Sequence, residues 1–267
     1  MTEAERKQII ALVQREVVPA IGCTEPIAVA LCVAKATEAL GAKPEKIDVL
    51  LSANILKNAM GVGIPGTGMI GLPIAIALGA LIGKSEYQLE VLKDSNPAAV
   101  EEGKRFIGEK RIDISLKKNI TEKLYIEVCC KSGGNKATAI IAGGHTTFIY
   151  IARNGDVLLN KQSAGCGEEE AQVAGLTLRK VYDFAMNAPL DEIRFILETA
   201  RLNKAAAERS FDGNYGHGLG RMLRGNYEHK ILGDSVFSHI LSYTSGACDA
   251  RMAGAMIPVM SNSGSGN

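Results

Sequence analysis

The stretch LYIEVCCKSGGNKATAIIA, residues 124–142, decides the fold class. Leu124, Ile126, Val128 and Cys130 recur at every second position, the period of a strand with one buried face. Residues 132–135 carry two glycines and read as a turn, and residues 137–142 as the returning strand. Upstream, Ile112, Ile114 and Leu116 alternate in the same way. Downstream, Asn154-Gly155 is the two-residue signal for a tight hairpin between strands at 148–152 and 157–159. A meander of this kind, flanked on both sides by helical periodicity, makes the chain α+β. Its N-terminal helices pack on a mixed or antiparallel sheet, and a mainly helical region follows.

Residues 3–18 form an amphipathic helix. Thr2 and Glu5 have capping-box spacing, Ile9, Val13 and Val17 share a face, and Pro19 helps end it. A second helix runs over 26–40, with Pro26 in its first turn and Gly41 as its stop; it is apolar nearly all round, which requires burial on both sides. A strand at 47–52 leads to a glycine-rich segment at 61–71, and Pro73 opens an apolar helix reaching 82. Ser85 and Asn96 cap short helices at 86–93 and 98–110. From about residue 171 the pattern is helical again: Pro189 opens one helix, and Asp234 caps another through 243. The segment AGCGEEE at 164–170 marks the expected boundary. It divides an α+β substrate-binding domain at 1–168 from the start of a helical catalytic domain at 169–267.

The totals narrow the function classes. Thirty basic against 29 acidic residues leave a formal net charge of +1, which gives no electrostatic footprint for nucleic acid or an anionic membrane. Aromatic residues are 5% of the chain with no Trp, so base-stacking platforms are absent and a small molecule is the default partner. The N-terminus is charged and has no signal-peptide core. Residues 58–83 carry no charge, but the apolar part falls short of the roughly 20 residues a membrane span needs and is interrupted by Gly71, Pro73 and Gly79. A buried helix is the better reading. Six cysteines without a CxxC pair read as reduced thiols in a cytoplasm. Cys129 and Cys130 are neighbours on a strand, point to opposite faces and do not readily share a metal.

Five places carry residues with chemistry. In Gly22-Cys23-Thr24-Glu25-Pro26, Thr24 is a candidate N-cap, which sets Cys23 beside the positive end of a helix where a thiolate is stabilised; the plain alternative is a packed cysteine. The loop GVGIPGTGMIG, residues 61–71, contains a literal GxGxxG, but Pro65, Gly68 and Gly71 break the helix that a dinucleotide site requires. Its backbone N–H groups, centred on Gly66, Thr67 and Gly68 with Asn58 nearby, suit a carboxylate, or else serve tight packing. His145, on the turn GGHTT, is either a base or substrate donor or a structural residue; His217, His229 and His239 lack metal-site spacing. Asp249 and Arg251 pair locally or meet a substrate charge. The final Ser261, Asn262, Ser263, Gly264 and Ser265 belong either to a flexible linker or to a polar cradle for a carboxylate.

The segments VVPAIGCTEPIAVA (17–30), NAMGVGIPGTGMIGLPIA (58–75), AGGHTT (142–147), IRFILETARLN (193–203) and DARMAGAMIPVMSNSGSGN (249–267) together resemble the L-cysteine desulfidase family. These are iron–sulfur enzymes distantly related to the bacterial iron–sulfur L-serine dehydratases. The resemblance implies α,β-elimination from L-cysteine to sulfide, pyruvate and ammonia, aided by a [4Fe–4S] cluster and without pyridoxal phosphate. It also implies that Cys23 is the base for the α-proton. Substrate contacts are implied for Thr24, Glu25, Asn58, Gly66, Thr67, Gly68, His145 and residues 261–265. Family members continue past the SNSGSGN loop and carry their cluster ligands there, so no metal ligand is assigned in this chain, and the 267 residues alone are expected to be inactive. An L-serine dehydratase and a non-catalytic amino-acid-binding subunit are the alternatives. The expected setting is cytoplasmic, with L-cysteine or L-serine as ligand, no nucleic acid or membrane, and either a homo-oligomer or a complementary subunit.

Overall fold

A computed structural model describes residues 1–161, 175–225 and 233–262. The α+β reading holds. The sheet is six-stranded, in the order β3-β2-β4-β5-β6-β7. Its strands are β2 (Lys46–Leu51), β3 (Ile112–Leu116), β4 (Tyr125–Ser132), β5 (Asn135–Ala142), β6 (Phe148–Arg153) and β7 (Asp156–Asn160). All neighbours are antiparallel except β2 and β3. That parallel pair is far apart in sequence, and the helices α3 (Ala53–Ala59), α4 (Leu72–Leu81) and α5 (Pro97–Gly108) fill the crossover, as a parallel connection demands. Asn154 and Gly155 both take positive φ, 51° and 97°, as the two-residue hairpin requires.

One face of the sheet is apolar: Ile47, Val49 and Leu51 on β2, Ile126, Val128 and Cys130 on β4, and Ala137, Ala139 and Ile141 on β5 are all buried. Helix α2 (Thr24–Leu40) lies across β4 and β5 and is covered on its other side by α4. This sandwich explains why α2 is apolar all round. The two helices meet backbone to backbone: a Cβ on Gly79 would stand 2.6 Å from the carbonyl oxygen of Ala30. Gly41 ends α2 in the left-handed conformation.

At the N-terminus, α1 (Glu3–Glu16) has the expected capping box between Thr2 and Glu5. It ends two residues earlier than periodicity predicts, because residues 17–21 form a strand, β1 (Val17–Ile21). β1 pairs antiparallel with β8 (Pro258–Asn262), from Val17 opposite Asn262 to Ile21 opposite Pro258. Val17 and Val18 favour extended backbone, and Pro19 is tolerated because a two-stranded ribbon has free edges. The partner strand lies some 240 residues away and runs into the serine–glycine tail that starts at Ser261, so local pattern carries no sign of the pair.

The C-terminal helices among the described residues are α6 (Leu178–Asn187), α7 (Leu190–Ile193), α8 (Leu197–Asp212), α9 (Leu219–Arg224) and α10 (Val236–Met252). The single helix predicted from Pro189 onward is broken by a 3₁₀ turn at Arg194–Ile196. Ser235, not Asp234, caps α10 through a reciprocal bond with Ser238, and the helix runs to Met252; Asp234 bonds His239 at 3.0 Å instead. Helices α8 and α10 pack around Ala206, Ala207, Ala247 and Val259, with Phe211 and Tyr243 edge to face at 5.2 Å. Asn203 of α8 accepts the N–H of Met260 at 2.8 Å and so ties β8 to this group. The expected domain boundary at 164–170 lies outside the described residues. No helix among the described residues is long and apolar enough to cross a membrane.

Candidate functional site

Gly22 turns the chain from β1 into α2 with φ 81°, and a Cβ there would stand 2.5 Å from Pro65 of the glycine loop. Only glycine fits both demands. Cys23, not Thr24, is the N-cap residue; Thr24 is the first helical residue and fully buried. The Cys23 thiol does not cap its helix. Sγ donates to Glu25 Oε2 at 3.0 Å, an oxygen that also accepts from Thr24 Oγ1 at 3.3 Å, while Glu25 Oε1 accepts from Asn58 Nδ2 at 3.3 Å. Cys23, Thr24, Glu25 and Asn58 therefore form one hydrogen-bonded cluster.

Two further elements close on it. Arg251, buried at the end of α10, donates from Nε to the carbonyl oxygen of Gly22 at 3.1 Å. His145, half-buried on the β5–β6 loop, interacts electrostatically with both Glu25 and Arg251. Burial pushes the Cys23 thiol up to about 12, with the hydrogen bond and the charge of Glu25 adding to the rise and Arg251 opposing it. Of the two readings of Cys23 this favours the packed thiol over the thiolate: burial and the Glu25 carboxylate outweigh the Glu25 backbone N–H and Arg251, which act the other way. Burial also works against the Glu25 charge, yet the bond from Cys23, its own backbone N–H, the His145 field and Asn58 together hold its carboxyl below the usual range. Burial depresses His145, Glu25 pulls it upward and Arg251 lowers it further.

The glycine loop is a tight hairpin. Ile64 N–H bonds Met69 O at 2.9 Å and Gly63 bridges Ile70. The Thr67 hydroxyl is engaged within the loop, donating to Ile64 O at 2.8 Å and accepting from Met69 N–H at 2.9 Å. Gly66 and Gly68 both take positive φ; Gly66 donates to Gly254 O at 3.2 Å, and Gly68 stands at the open tip. Gly63 N–H bonds Met252 O at 2.9 Å. The loop thus packs directly on the end of α10, next to Arg251. Ser261 is buried in β8 with no partner for its hydroxyl among the described residues, and Asn262 ends that strand exposed. Ser263, Gly264 and Ser265 lie outside the described residues.

Asp249 and Arg251, considered together as a local pair, have different partners. Asp249 accepts from the N–H groups of His217 and Gly220 at 3.2 and 3.0 Å, holding α9, whereas Arg251 reaches Gly22. Arg251 is the site neighbour that sequence order conceals, since 229 positions separate it from its acceptor. Among the described residues no group of His, Cys, Asp or Glu could hold a metal ion. Cys32 is buried and bonds Ala139 O at 3.3 Å, and Cys130 is buried beside Thr37. These residues do not fit an iron–sulfur cluster. A cavity of about 770 Å³ is lined by Glu208, Phe211, Asp212, Arg221 and Arg224 and shares no residue with the Cys23 cluster.

Close relatives are known from sequence. A UPF0597 protein of Bacteroides fragilis is 82% identical over all of this chain, one of Bacteroides thetaiotaomicron is 77% identical over all of it, and one of Chromobacterium violaceum is 45% identical over 97%. The chain spans 62%, 62% and 60% of those proteins. No solved structure matches it. The sequence profile of the serine dehydratase alpha chain covers residues 86–267, from the segment before α5 to the end of the chain, and leaves out β2 and the helices before it. With more than half its length matched, the chain belongs to the serine dehydratase alpha chain family.

Proposed function

We propose that this chain supplies the substrate-recognition and proton-transfer part of a lyase that eliminates the β-substituent of a small α-amino acid, with L-cysteine as substrate. The carrying observation is the Cys23–Glu25 contact of 3.0 Å at the buried start of α2, with His145 and Arg251 around it. Removing an α-proton needs a group of tunable acidity out of bulk water, and a buried thiol whose ionisation is governed by an adjacent carboxylate can meet that need once it has lost its own proton. Cys23 is the proposed base. The loop around Gly66, Thr67 and Gly68 and the residues 261–265 are proposed to hold the substrate carboxylate, and Asn58 and His145 to orient its polar groups. The reduced thiols fit a cytoplasmic setting.

The [4Fe–4S] cluster implied by the resemblance would supply a Lewis acid for the leaving group. It finds no donor set among the described residues, so we assign its ligands to the part of the longer relatives that this chain does not span. The test uses the full-length Bacteroides fragilis relative purified without oxygen. The Cys→Ala change at the position aligned with Cys23 is expected to lower pyruvate release from L-cysteine at least ~10³-fold with cluster absorbance intact. An unchanged rate removes Cys23 from the mechanism. Comparison of L-cysteine with L-serine in the same assay decides the leaving group, since the family description favours serine. A second reading, a non-catalytic amino-acid-binding subunit, draws support from the thiol being held protonated. Calorimetric amino-acid binding, with no turnover by the full-length relative, would select it.

A further inference from the structure

Glu25 is the unusual member of the cluster. It is partly buried in the first turn of α2, where a helix N-terminus favours a carboxylate. Its hydrogen bonds come from a thiol, a hydroxyl and an amide, all neutral. Among the described residues no salt bridge reaches it, whereas the surface carboxylates Glu3, Asp48, Asp94 and Glu102 all have lysine partners. His145, facing it from the β5–β6 loop, is depressed by burial and by the Arg251 charge while Glu25 pulls it upward. Arg251, facing the cluster from α10, has its Nε committed to Gly22. Burial works against the Glu25 charge, but the bonds from Cys23, its own backbone N–H and Asn58, with the His145 field, keep it ionised, so it stands ready to accept a cation.

We infer that Glu25 is a latch on Cys23: in the ligand-free site its carboxylate accepts the thiol hydrogen and keeps the proton on sulfur, and the ammonium group of a bound α-amino acid takes over that carboxylate and releases the thiol. This rests on the amino-acid reading above and adds the residue that recognises the ammonium and couples recognition to reactivity. The linkage follows from charge. A cation beside Glu25 cancels the field that disfavours the thiolate and removes the hydrogen-bond acceptor that favours the thiol. When the thiol then ionises, the S–H bond breaks, the electron pair stays on sulfur and the proton passes to water. An amino acid thereby activates its own base, and the empty site keeps a poorly nucleophilic thiol that resists oxidation.

The test is the pH dependence of iodoacetamide alkylation at Cys23 in the 267-residue chain, read by peptide mass spectrometry. Cys32, fully buried, must stay unmodified as the control for folding. L-Alanine, which has no leaving group, serves as ligand, and its binding is followed independently by calorimetry. Saturating L-alanine is expected to lower the alkylation midpoint and raise the rate at pH 8 roughly tenfold. E25Q is expected to show the lowered midpoint without ligand and no further response to it. An E25Q midpoint equal to that of the unmodified chain overturns the latch. If E25Q fails to fold, the unmodified chain decides: bound L-alanine with an unmoved midpoint overturns the latch while the amino-acid reading stands. No heat of binding for L-alanine or L-serine overturns the amino-acid reading, and the latch with it.

Discussion

The sheet region and the C-terminal helices use the same alphabet of apolar periodicity with opposite results. Around α2, large side chains vanish from solvent: Ile27, Leu31, Ile74, Ile76, Leu78 and Ile126 are each at most 1% exposed. Around α10 the buried cluster is three alanines and Val259, while Leu178, Leu190 and Val236 stand 86%, 78% and 78% exposed. Leu178, Val181, Tyr182 and Met186 share one face of α6, yet α6 has no buried residue. Periodicity tells which face is apolar; it does not tell what covers that face. The first region covers its own faces. Among the described residues the second does not, and the curated relatives are longer proteins.

The largest expected effect sharpens this contrast. Leu31→Ala, in the α2 sandwich, should cost about 3 kcal/mol in urea melts, the usual price of a cavity in a closed core. Leu178→Ala should cost less than about 0.5 kcal/mol, as expected for an exposed site. Equal losses would break the comparison by showing that α6 is buried in solution. Dilution would then reveal whether a second copy buries it, because stability shared between chains depends on concentration.

A smaller effect tests the seam between the regions. At Gly63 an added Cβ would stand 2.4 Å from the carbonyl carbon of Ala253 and 2.5 Å from its oxygen, both backbone atoms that cannot step aside. Gly61, two residues earlier, has open space around it. Gly63→Ala is therefore expected to lose about 2 kcal/mol to overpacking, and Gly61→Ala close to nothing. Hydrogen exchange at the Gly63 amide, bonded to Met252, should report the opening directly. Retained protection in Gly63→Ala would mean that the loop does not bind the helix end as tightly as the geometry implies.

The two regions also differ in how far the sequence discloses them. The strands β4 to β7, the hairpin at Asn154-Gly155, the buried α2 and the capping box at Thr2 were legible because each is a local pattern with a local cause. The glycine loop was legible as a special backbone, and Cys23 as a residue at a helix start. The β1–β8 ribbon was not, because neither strand alternates and the pairing is made across nearly the whole chain. The break at Arg194–Ile196 was missed because the helical pattern continues through it and neither glycine nor proline marks the turn. Glu25 as the acceptor of the thiol was hidden by orientation: a side chain two residues along a new helix turns back only once Asn58 from α3 is there to hold it. Arg251 reaches Gly22 only through the tertiary fold.

The smallest expected effect lies where the regions meet, at His145. Burial depresses its folded pKa below the ordinary 6.5, and the Arg251 charge acts in the same direction against the pull of Glu25. In the unfolded chain the imidazole takes up its proton near 6.5, while in the folded chain it does so only at lower pH, so between the two the unfolded state binds more protons. Its contribution to stability is then complete above 6.5 and is lost as pH falls toward the folded value. Glu25, also depressed, acts in a separate window: its contribution is complete above 4.5 and is lost only below that. Urea melts between pH 7.5 and 5 should show a decline that His145→Gln flattens, smaller than the loss at Gly63, while the decline below 4.5 persists. A decline that is the same in both proteins would place His145 in solvent and detach the β5–β6 loop from the Cys23 cluster. A steeper decline in the variant would mean that the imidazolium is stabilised in the fold, with the Glu25 field outweighing burial.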